Sequence, residues 1–481
     1  MDASSAFFRH PVVLGFSLLA LSLTGCSSRP IPQEPKVHPG LAVFNEALTL
    51  PVLEHSIVRE GDKVTYLVTR VGNTAIYARF NASCKQGPNS MFYPTRNGLS
   101  AFTDQPKTST ALPAEQSQQL QHSEQLQQVC TQRPTPDWRM LELAEDQDWL
   151  MLDRNSLQQE GGLLYVWAGR DYRHYLIASD GAALIAQSQE RLALDCKQQT
   201  VTALSQFMID GSHEVSSGKV ERQAVPQPLM QASADRQRVF KAACLPQAEL
   251  ARLPVFNARQ TLPPVISTPT VAPSVVAAIQ ALDLPAPARP LRHLGYRYDM
   301  VMFNGTKLGD FSKEVFISTD SASGQTLVQP VDFVLPPAIN LTFRGLFDLA
   351  SHNIDKETGK EVADSRPLVD LSFQGDWRNL PLKTQVSYIE TRAEPANADG
   401  SPSHKTSEPR TVTCQIVREQ PASALHPTLL GPAKLLNCTK MKARGLDWTD
   451  LSWYLADYGQ FVHVLENSPV GLWKWRIESV R

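Results

Sequence analysis

The sequence has no surplus of basic residues. Its 481 residues include 46 Lys and Arg against 48 Asp and Glu, which gives a formal net charge of −2. Proteins that bind nucleic acid usually carry a basic surface, because contacts to phosphates supply much of their affinity. We therefore expect no nucleic acid among the partners of this chain.

The sequence also lacks the motifs of common catalytic and metal sites. It has no Gly-x-Ser-x-Gly elbow, no His-Glu-x-x-His pair and no P-loop. Its 11 histidines stand singly, and no two cysteines have the Cys-x-x-Cys spacing of zinc sites. Asp447, Asp450 and Asp457 are acidic residues that a glycosidase could use as a pair, but no other feature supports that role. We predict no catalytic residue, no cofactor and no metal.

No run of apolar residues after residue 25 approaches the roughly 20 that a membrane-spanning helix needs. Residues 1–25 instead have the three parts of an export signal. Arg9 gives a short basic start, the stretch from Val12 to Leu23 is apolar, and small residues follow it. We expect residues 1–25 to be removed as a signal peptide.

A cysteine stands directly behind this apolar stretch, and Leu23-Thr24-Gly25-Cys26 resembles the lipobox of bacterial lipoproteins. The resemblance implies cleavage before Cys26, diacylglycerol on its thiol and a further acyl chain on the new N-terminus. Several chains anchor a protein durably, since each buried methylene contributes about 0.8 kcal/mol. Ser27 stands next, where Asp would imply inner-membrane retention, so similarity to enterobacterial sorting implies the outer membrane. We interpret the Pro-rich, polar segment 26–45 as a tether.

Six cysteines remain after Cys26, and they fall into three sequential couples: Cys84 and Cys130, Cys196 and Cys244, Cys414 and Cys438. An even number in an exported chain indicates disulfides. Six cysteines allow fifteen connectivities, and we predict the sequential pairs from the domain layout. A loop of nearly fifty residues closed in this way contributes about 4 kcal/mol. Metal binding, the alternative, would require closer spacings.

The N-terminal half contains an internal repeat. Residues 56–70 (SIVREGDKVTYLVTR) and 156–170 (SLQQEGGLLYVWAGR) share Ser, Glu, Gly and Arg at the same four positions. Each copy continues to a Cys-Lys pair, then to a helix-like stretch and a second cysteine. A polar turn, an apolar strand and further alternating segments precede that helix. We predict a duplicated α+β module, an antiparallel sheet plus a helix, at residues 46–132 and 133–252.

The second copy carries a more specific pattern: Trp138, the segment 152–156 (LDRNS), Gly161, Val166-Trp167, Asp195-Cys196 and Cys244. In this pattern it resembles the surface-adhesin protein E family of Gram-negative lipoproteins. The resemblance covers about a quarter of the chain and implies an antiparallel sheet with a helix packed on it. Founding members are implicated in adhesion to host matrix and plasma proteins. The first copy lacks the Trp and has Leu53 where Asp153 stands, so it looks like a degenerate relative.

The C-terminal half differs in composition. Residues 253–292 are rich in proline and are predicted to form a semi-rigid linker with one short helix at Ser274–Leu282. Residues 293–481 show period-two alternation in many short runs, which predicts an all-β domain built as a sandwich or a curled sheet. The aromatic segment 447–461 is the exception. Its apolar residues have helical spacing, which favours a packed helix ending at Gly459 over an exposed aromatic binding patch: Leu451, Tyr454, Leu455 and Tyr458.

Together these features predict a non-enzymatic lipoprotein in the outer membrane of a Gram-negative envelope. Its partners would be the membrane, through the lipid, and a host or envelope protein or polymer. Two alternatives stay open. One is a periplasm-facing accessory of envelope assembly or secretion. The other is an envelope hydrolase with an unrecognised site in residues 293–481, which a deep pocket with converging carboxylates or a histidine would favour.

Overall fold

The computed structural model describes residues 38–481 apart from 73–74, 97, 105–109, 143, 145, 179–183, 303–304, 332–335, 356–359, 364–365, 395–404, 441–447 and 469–470. The predicted signal peptide and Cys26 lie outside these residues. Strands account for 49% of the described residues and helices for 14%, so the fold is β-rich and has large antiparallel sheets. None of the helices in the described ranges combines the length and apolar character that a membrane span requires.

The first unit is a small sheet with helices before and after it in the chain. Its elements are α1 (Pro39–Ala47), β1 (Val58–Glu60), β2 (Lys63–Val68), β3 (Ala78–Ser83), β4 (Ser90–Thr95), β5 (Gly98–Ala101), α2 (Ala114–Gln121) and α3 (Glu124–Gln132). The strands form an antiparallel meander in the order β1-β2-β3-β4-β5. Helix α1 begins inside the segment predicted as a tether, and Phe44 is fully buried in one core with Tyr66 and Phe80. The folded part of the chain therefore starts before residue 45.

The second unit has longer strands in the same antiparallel arrangement. Its elements are β6 (Trp138–Met140), β7 (Trp149–Glu160), β8 (Leu163–Ile177), β9 (Leu184–Asp195), β10 (Thr200–Asp210), β11 (Val215–Val220), β12 (Gln227–Pro228), α4 (Ala234–Ala243) and α5 (Gln247–Leu250). The order is β11-β10-β9-β8-β7-β6, and β12 pairs with β10. Helix α4 buries Val239, Phe240 and Ala243 in the core with Leu152 and Leu192 of the sheet.

Both units contain the same two-residue hairpin turn. Gly61 connects β1 to β2 and Gly161 connects β7 to β8, each with a φ of 58°. A positive φ matches the twist of such hairpins and costs glycine little. The polar Glu-Gly turns in the sequence therefore mark hairpins in both units.

The rest of the chain forms one helix and one large sheet within the described residues. The elements are α6 (Pro273–Gln280), β13 (His293–Met302), β14 (Lys307–Thr319), β15 (Thr326–Val331), β16 (Ala338–Thr342), β17 (Asp348–Ile354), β18 (Glu361–Ala363), β19 (Leu368–Gln374), β20 (Gln385–Arg392), β21 (Arg410–Pro421), β22 (Pro432–Lys440), β23 (Trp448–Leu455), β24 (Gln460–Ser468) and β25 (Gly471–Val480). All pairs are antiparallel, in the order β18-β17-β16-β15-β14-β13-β25-β24-β23-β22-β21-β20-β19.

This large sheet curls around a core that its two ends share. Leu349 of β17, Leu371 of β19 and Val386 of β20 belong to one buried cluster, although β17 and β19 lie near opposite ends of the strand order. Helix α6 lies in the segment predicted as a linker and packs against β19. Its Val275 and Ile279 are buried in the same cluster. The α6 part of the linker segment thus belongs to the C-terminal unit, whereas residues 254–262 form backbone hydrogen bonds with the second unit.

The helix predicted in residues 447–461 is wrong. Residues Trp448–Leu455 form β23, a single 3-10 turn follows at Ala456–Tyr458, and Gly459 has a φ of 58°. Tyr454 is buried in one cluster, whereas Trp453 and Leu455 are buried in another. Because β23 is covered on both faces, its apolar residues do not alternate, and their spacing is indistinguishable from that of a helix.

The structure joins the six cysteines in the three pairs predicted from the sequence: Cys84–Cys130, Cys196–Cys244 and Cys414–Cys438. The first two bridges each connect the end of a strand to a helix of the same unit. The third connects β21 to β22, where the two cysteines are direct register partners. Each bridge therefore stays inside one unit.

Candidate functional site

A cavity of about 530 Å³ lies within the curled sheet. Its walls come from β13, β14, β15, β17, β20, β21, β23, β24 and β25, so it depends on the curl that brings these strands together. The volume falls in the range of roughly 300–1,000 Å³ that is typical of small-ligand sites. The alternation of side chains along each strand places every second residue on the cavity side.

Aromatic rings form the apolar part of the wall. Tyr296 lines it from β13, Tyr388 from β20 and Trp475 from β25, with Phe347 and Phe461 beside them. Phe347 stacks on Tyr388 with 4.2 Å between ring centroids. These rings present flat apolar faces on which a ligand can pack. Polar groups beside such faces set the orientation of a ligand.

Tyr388 is a buried residue that lines this cavity. The residue is 2% exposed, so its side chain is held away from bulk solvent. Burial raises the pKa of Tyr388, and the nearby Glu390 carboxylate adds to that effect. The hydroxyl therefore remains protonated and able to donate. Tyr296 is similar: burial raises its pKa, and it is 9% exposed.

A buried group of charged residues forms one side of the cavity. The Glu390 carboxylate is 2% exposed and is held by two guanidinium groups. Arg410 Nε donates to Oε1 at 2.7 Å, and Arg392 Nη2 donates to Oε2 at 3.3 Å. Arg392 also donates to the carbonyl of Asp348 at 2.7 Å. This side of the cavity therefore combines two cations with the carboxylates of Glu390 and Asp348.

The other side carries two carboxylates. Asp450 on β23 and Glu466 on β24 are direct register partners, and both line the cavity. Like charges placed directly across two strands destabilise a sheet. Trp448 Nε1 donates to Glu466 Oε1 at 3.1 Å and fixes that side chain. An unfavourable pair retained in a cavity is a frequent mark of function.

His463 lies beside the carboxylate pair. Its Nδ1 and the hydroxyl of Ser452 are 2.9 Å apart, and its ring lines the cavity. Ser452 is fully buried, so it orients the ring and does not reach a ligand. No group of three or more His, Cys, Asp and Glu with a metal-binding arrangement occurs in the part of the chain that the structure describes.

The aspartates that the sequence offered as a possible glycosidase pair do not come together in the structure. Asp450 lines the cavity, Asp457 forms an ion pair with Arg289 at 3.3 Å, and Asp447 lies outside the described residues. The predicted site residue Cys26 lies outside them as well. The disulfide cysteines are structural and do not line the cavity.

Sequence reasoning missed several residues of this cavity. Tyr388, Glu390 and Arg392 stand at alternate positions of β20, on the face that carries the cavity. Charged residues on the apolar face of a predicted strand were the available signal, because buried charges need partners or a role. The sequence offered no such signal for Glu466 and His463, because the register of β23 and β24 determines which side chains lie next to them.

Comparison with known protein families and with curated proteins finds no match to this chain.

Proposed function

We propose that this chain is an outer-membrane lipoprotein that binds a hydroxyl-rich ligand, of the saccharide class, inside the curled sheet. The observation that carries the proposal is the lining of the cavity of about 530 Å³, where the Tyr388 side chain, other aromatic rings and charged groups of both signs meet. A ligand acceptor within reach of the Tyr388 hydroxyl would gain a hydrogen bond in a site that is shielded from bulk solvent.

The composition of the wall favours a saccharide over a purely apolar or a singly charged ligand. Sugar hydroxyls both donate and accept, and the wall offers donors from Tyr388 and Arg410 and acceptors from Asp450 and Glu466. The rings of Trp475 and the neighbouring aromatics offer flat surfaces to the C–H face of a sugar ring. Because the wall holds charges of both signs, it does not favour a cation or an anion over a neutral ligand.

Binding to oligosaccharides tests this proposal. We expect Tyr388→Phe to weaken binding of an envelope oligosaccharide by roughly 3- to 10-fold, because one hydrogen bond contributes about 0.5–1.5 kcal/mol. Isothermal titration calorimetry on the full chain measures the change. Tyr172→Phe removes a hydroxyl of the second unit that does not line this cavity, and it should leave binding unchanged. Failure of every oligosaccharide to bind, or equal binding by Tyr388→Phe, would contradict the proposal.

A second candidate is the hydrolase, which the carboxylate pair favours. Asp450 and Glu466 face each other beside His463, and cleavage of a glycosidic bond uses two carboxylates, one as an acid and one as a base or nucleophile. The same binding experiment separates the two functions when the ligand is recovered afterwards. Intact ligand supports binding alone. Cleaved ligand supports the hydrolase, provided that Asp450→Asn stops cleavage.

The envelope location rests on the lipobox resemblance at Cys26, and the three bridges are consistent with an oxidising compartment. We expect Cys26→Ser to release the protein from the membrane fraction, because the thiol that would carry diacylglycerol is lost. Fractionation of cells that produce the variant measures this. Cys26→Ser protein that stays with the membranes would contradict the anchor. Protease treatment of intact cells separates a surface-exposed adhesin from a periplasm-facing accessory protein.

We also propose that the two N-terminal units are a duplicated protein E-like module. Equivalent serines support this. Ser56 Oγ accepts from Leu67 N at 3.1 Å, and Ser156 Oγ accepts from Trp167 N at 2.8 Å, at positions one hundred residues apart. Each serine also donates to a carbonyl three residues earlier, at 2.7 Å in both units. The shared hairpin turn and the strand-to-helix bridge of each unit add to this support.

A further inference from the structure

A second cavity lies between the first two units. It measures about 350 Å³ and is lined by residues 52–55 and 57 of the first unit, residues 132–134 of the connection, and residues of β7, β8 and β9. Ligand sites occur preferentially at interfaces of this kind. The cavity is separate from the one inside the curled sheet.

Arg191 on β9 lines this cavity and is 7% exposed. Its guanidinium donates to the carbonyl of Ser156 at 3.0 Å and to Gln158 Oε1 at 3.2 Å. It makes no ion pair with any carboxylate of the described residues. Burial lowers the pKa of Arg191 to about 10, and the nearby Arg133 contributes to this effect. A buried charge without a counter-ion is costly, so such charges are normally paired.

The neighbouring carboxylates are shared with other cations or are exposed to solvent. Asp153 attracts Arg191, but it is paired with Arg133, and both side chains of that pair are buried. Arg59 donates to backbone carbonyls, including that of Arg133 at 2.6 Å, and Asp62 is its nearby carboxylate. Glu60 contacts Gln189, and burial raises the pKa of Glu60 to about 7. Glu54 and Glu160 also line the cavity, and both residues are exposed.

Arg191 is therefore a buried guanidinium group without an ion pair of its own. A guanidinium has five N–H donors, and Arg191 uses two of them within the described residues. A phosphate monoester carries about −1.5 to −2 charges at neutral pH and a phosphodiester about −1, and both accept paired N–H bonds from arginine.

We propose that the cavity between the first two units binds a phosphate group, with Arg191 as its principal contact. Tyr165 and His55 complete the wall: their rings stack with centroids 5.9 Å apart, and Arg191 lies over Tyr165 at 5.7 Å. The phosphate would come from a soluble ligand or from a lipid head group. Because residues of both units line the cavity, the bound group also joins the two units.

Calorimetry on the full chain tests this site, with inorganic phosphate against chloride at equal ionic strength. Vesicles of phosphatidylglycerol and of phosphatidylcholine form the second arm, which distinguishes a lipid head group from a soluble phosphate. We expect saturable binding in at least one arm and at least a 10-fold loss in Arg191→Gln. Arg236→Gln removes a cation that is paired with Glu190 outside the cavity, and it should bind like the wild type.

Arg191→Gln is expected to fold, because it removes an unmatched buried charge, and its melting temperature without ligand should equal or exceed that of the wild type. If it does not fold, Arg191→Lys keeps the charge and loses the planar fork, and it should weaken binding several-fold. Binding that survives substitution of Arg191, or no binding in either arm, would overturn the proposal.

Discussion

Buried ionisable side chains make the junction of the first two units sensitive to pH. Glu60 lies at the β1–β2 hairpin and contacts Gln189 of the second unit, next to the buried pair of Arg133 and Asp153. Burial raises the pKa of Glu60 from its ordinary value of 4.5 to about 7, although the bond from Gln189 opposes the shift. Burial also raises the pKa of Asp171 to about 6. Both carboxyl groups are therefore more readily protonated in the folded chain than in the unfolded one.

The sign of the pH effect follows from this difference. Between pH 4.5 and 7 the folded chain binds more protons at Glu60 than the unfolded chain, so the free energy of unfolding falls as pH rises. The contribution is complete below pH 4.5 and is lost as pH passes 7. At about 1.4 kcal/mol per unit of pKa difference, the loss is roughly 3–4 kcal/mol.

We expect Glu60→Gln to remove this part of the pH dependence, because the amide stays neutral. Denaturant unfolding at pH 5 and pH 8 measures it, and the variant should exceed the wild type in stability at pH 8. Glu115→Gln, an exposed position on α2, is the matched control and should retain the slope of the wild type. The same slope in wild type and Glu60→Gln would show that Glu60 is not the group responsible.

Periodicity predicted the elements well where only one face is buried. The alternation in residues 293–302 becomes β13, and the helix-like stretch before Cys244 becomes α4. It was wrong for β23, since both faces of that strand are covered. The short helix predicted within segment 253–292 is present as α6, but the linker prediction did not include the burial of its Val275 and Ile279. Proline content indicates a stiff chain, but it does not show which residues the apolar side chains between the prolines contact.

The packing of α6 can be tested at adjacent positions. We expect Ile279→Ala to lower the free energy of unfolding of the C-terminal unit by about 2–5 kcal/mol, because it leaves a cavity in the core that α6 shares with β19. Gln280→Ala, at the next and exposed position, should change it by less than about 0.5 kcal/mol. Denaturant unfolding monitored by tryptophan fluorescence measures both. Equal effects would mean that the segment behaves as a linker.

At the scale of the whole molecule, the buried clusters define two bodies. One cluster combines Val58 and Leu67 of the first unit with Trp138, Met151 and Phe207 of the second, so these units share a core. The clusters of the large sheet draw their buried members from residues 266–462, and Ile177 of the second unit packs against one of them. The β-rich class was predictable from alternation. The order of thirteen strands and the curl that creates the cavity were not, because strand register and the meeting of distant strands depend on contacts that no local pattern records.

The shared core predicts that the first two units unfold together. Leu67 is 4% exposed within the common cluster, so we expect Leu67→Ala to destabilise both units by about 2–5 kcal/mol. Hydrogen exchange measures this by region: protection should fall in β1–β2 and in β7–β11 together and stay unchanged in β13–β25. Leu436→Ala, at a fully buried position of β22, is the reciprocal control and should reduce protection in the large sheet alone. If Leu67→Ala affected only the first unit, the two N-terminal units would be independent domains, and the cavity between them would form by docking of two separately folded bodies.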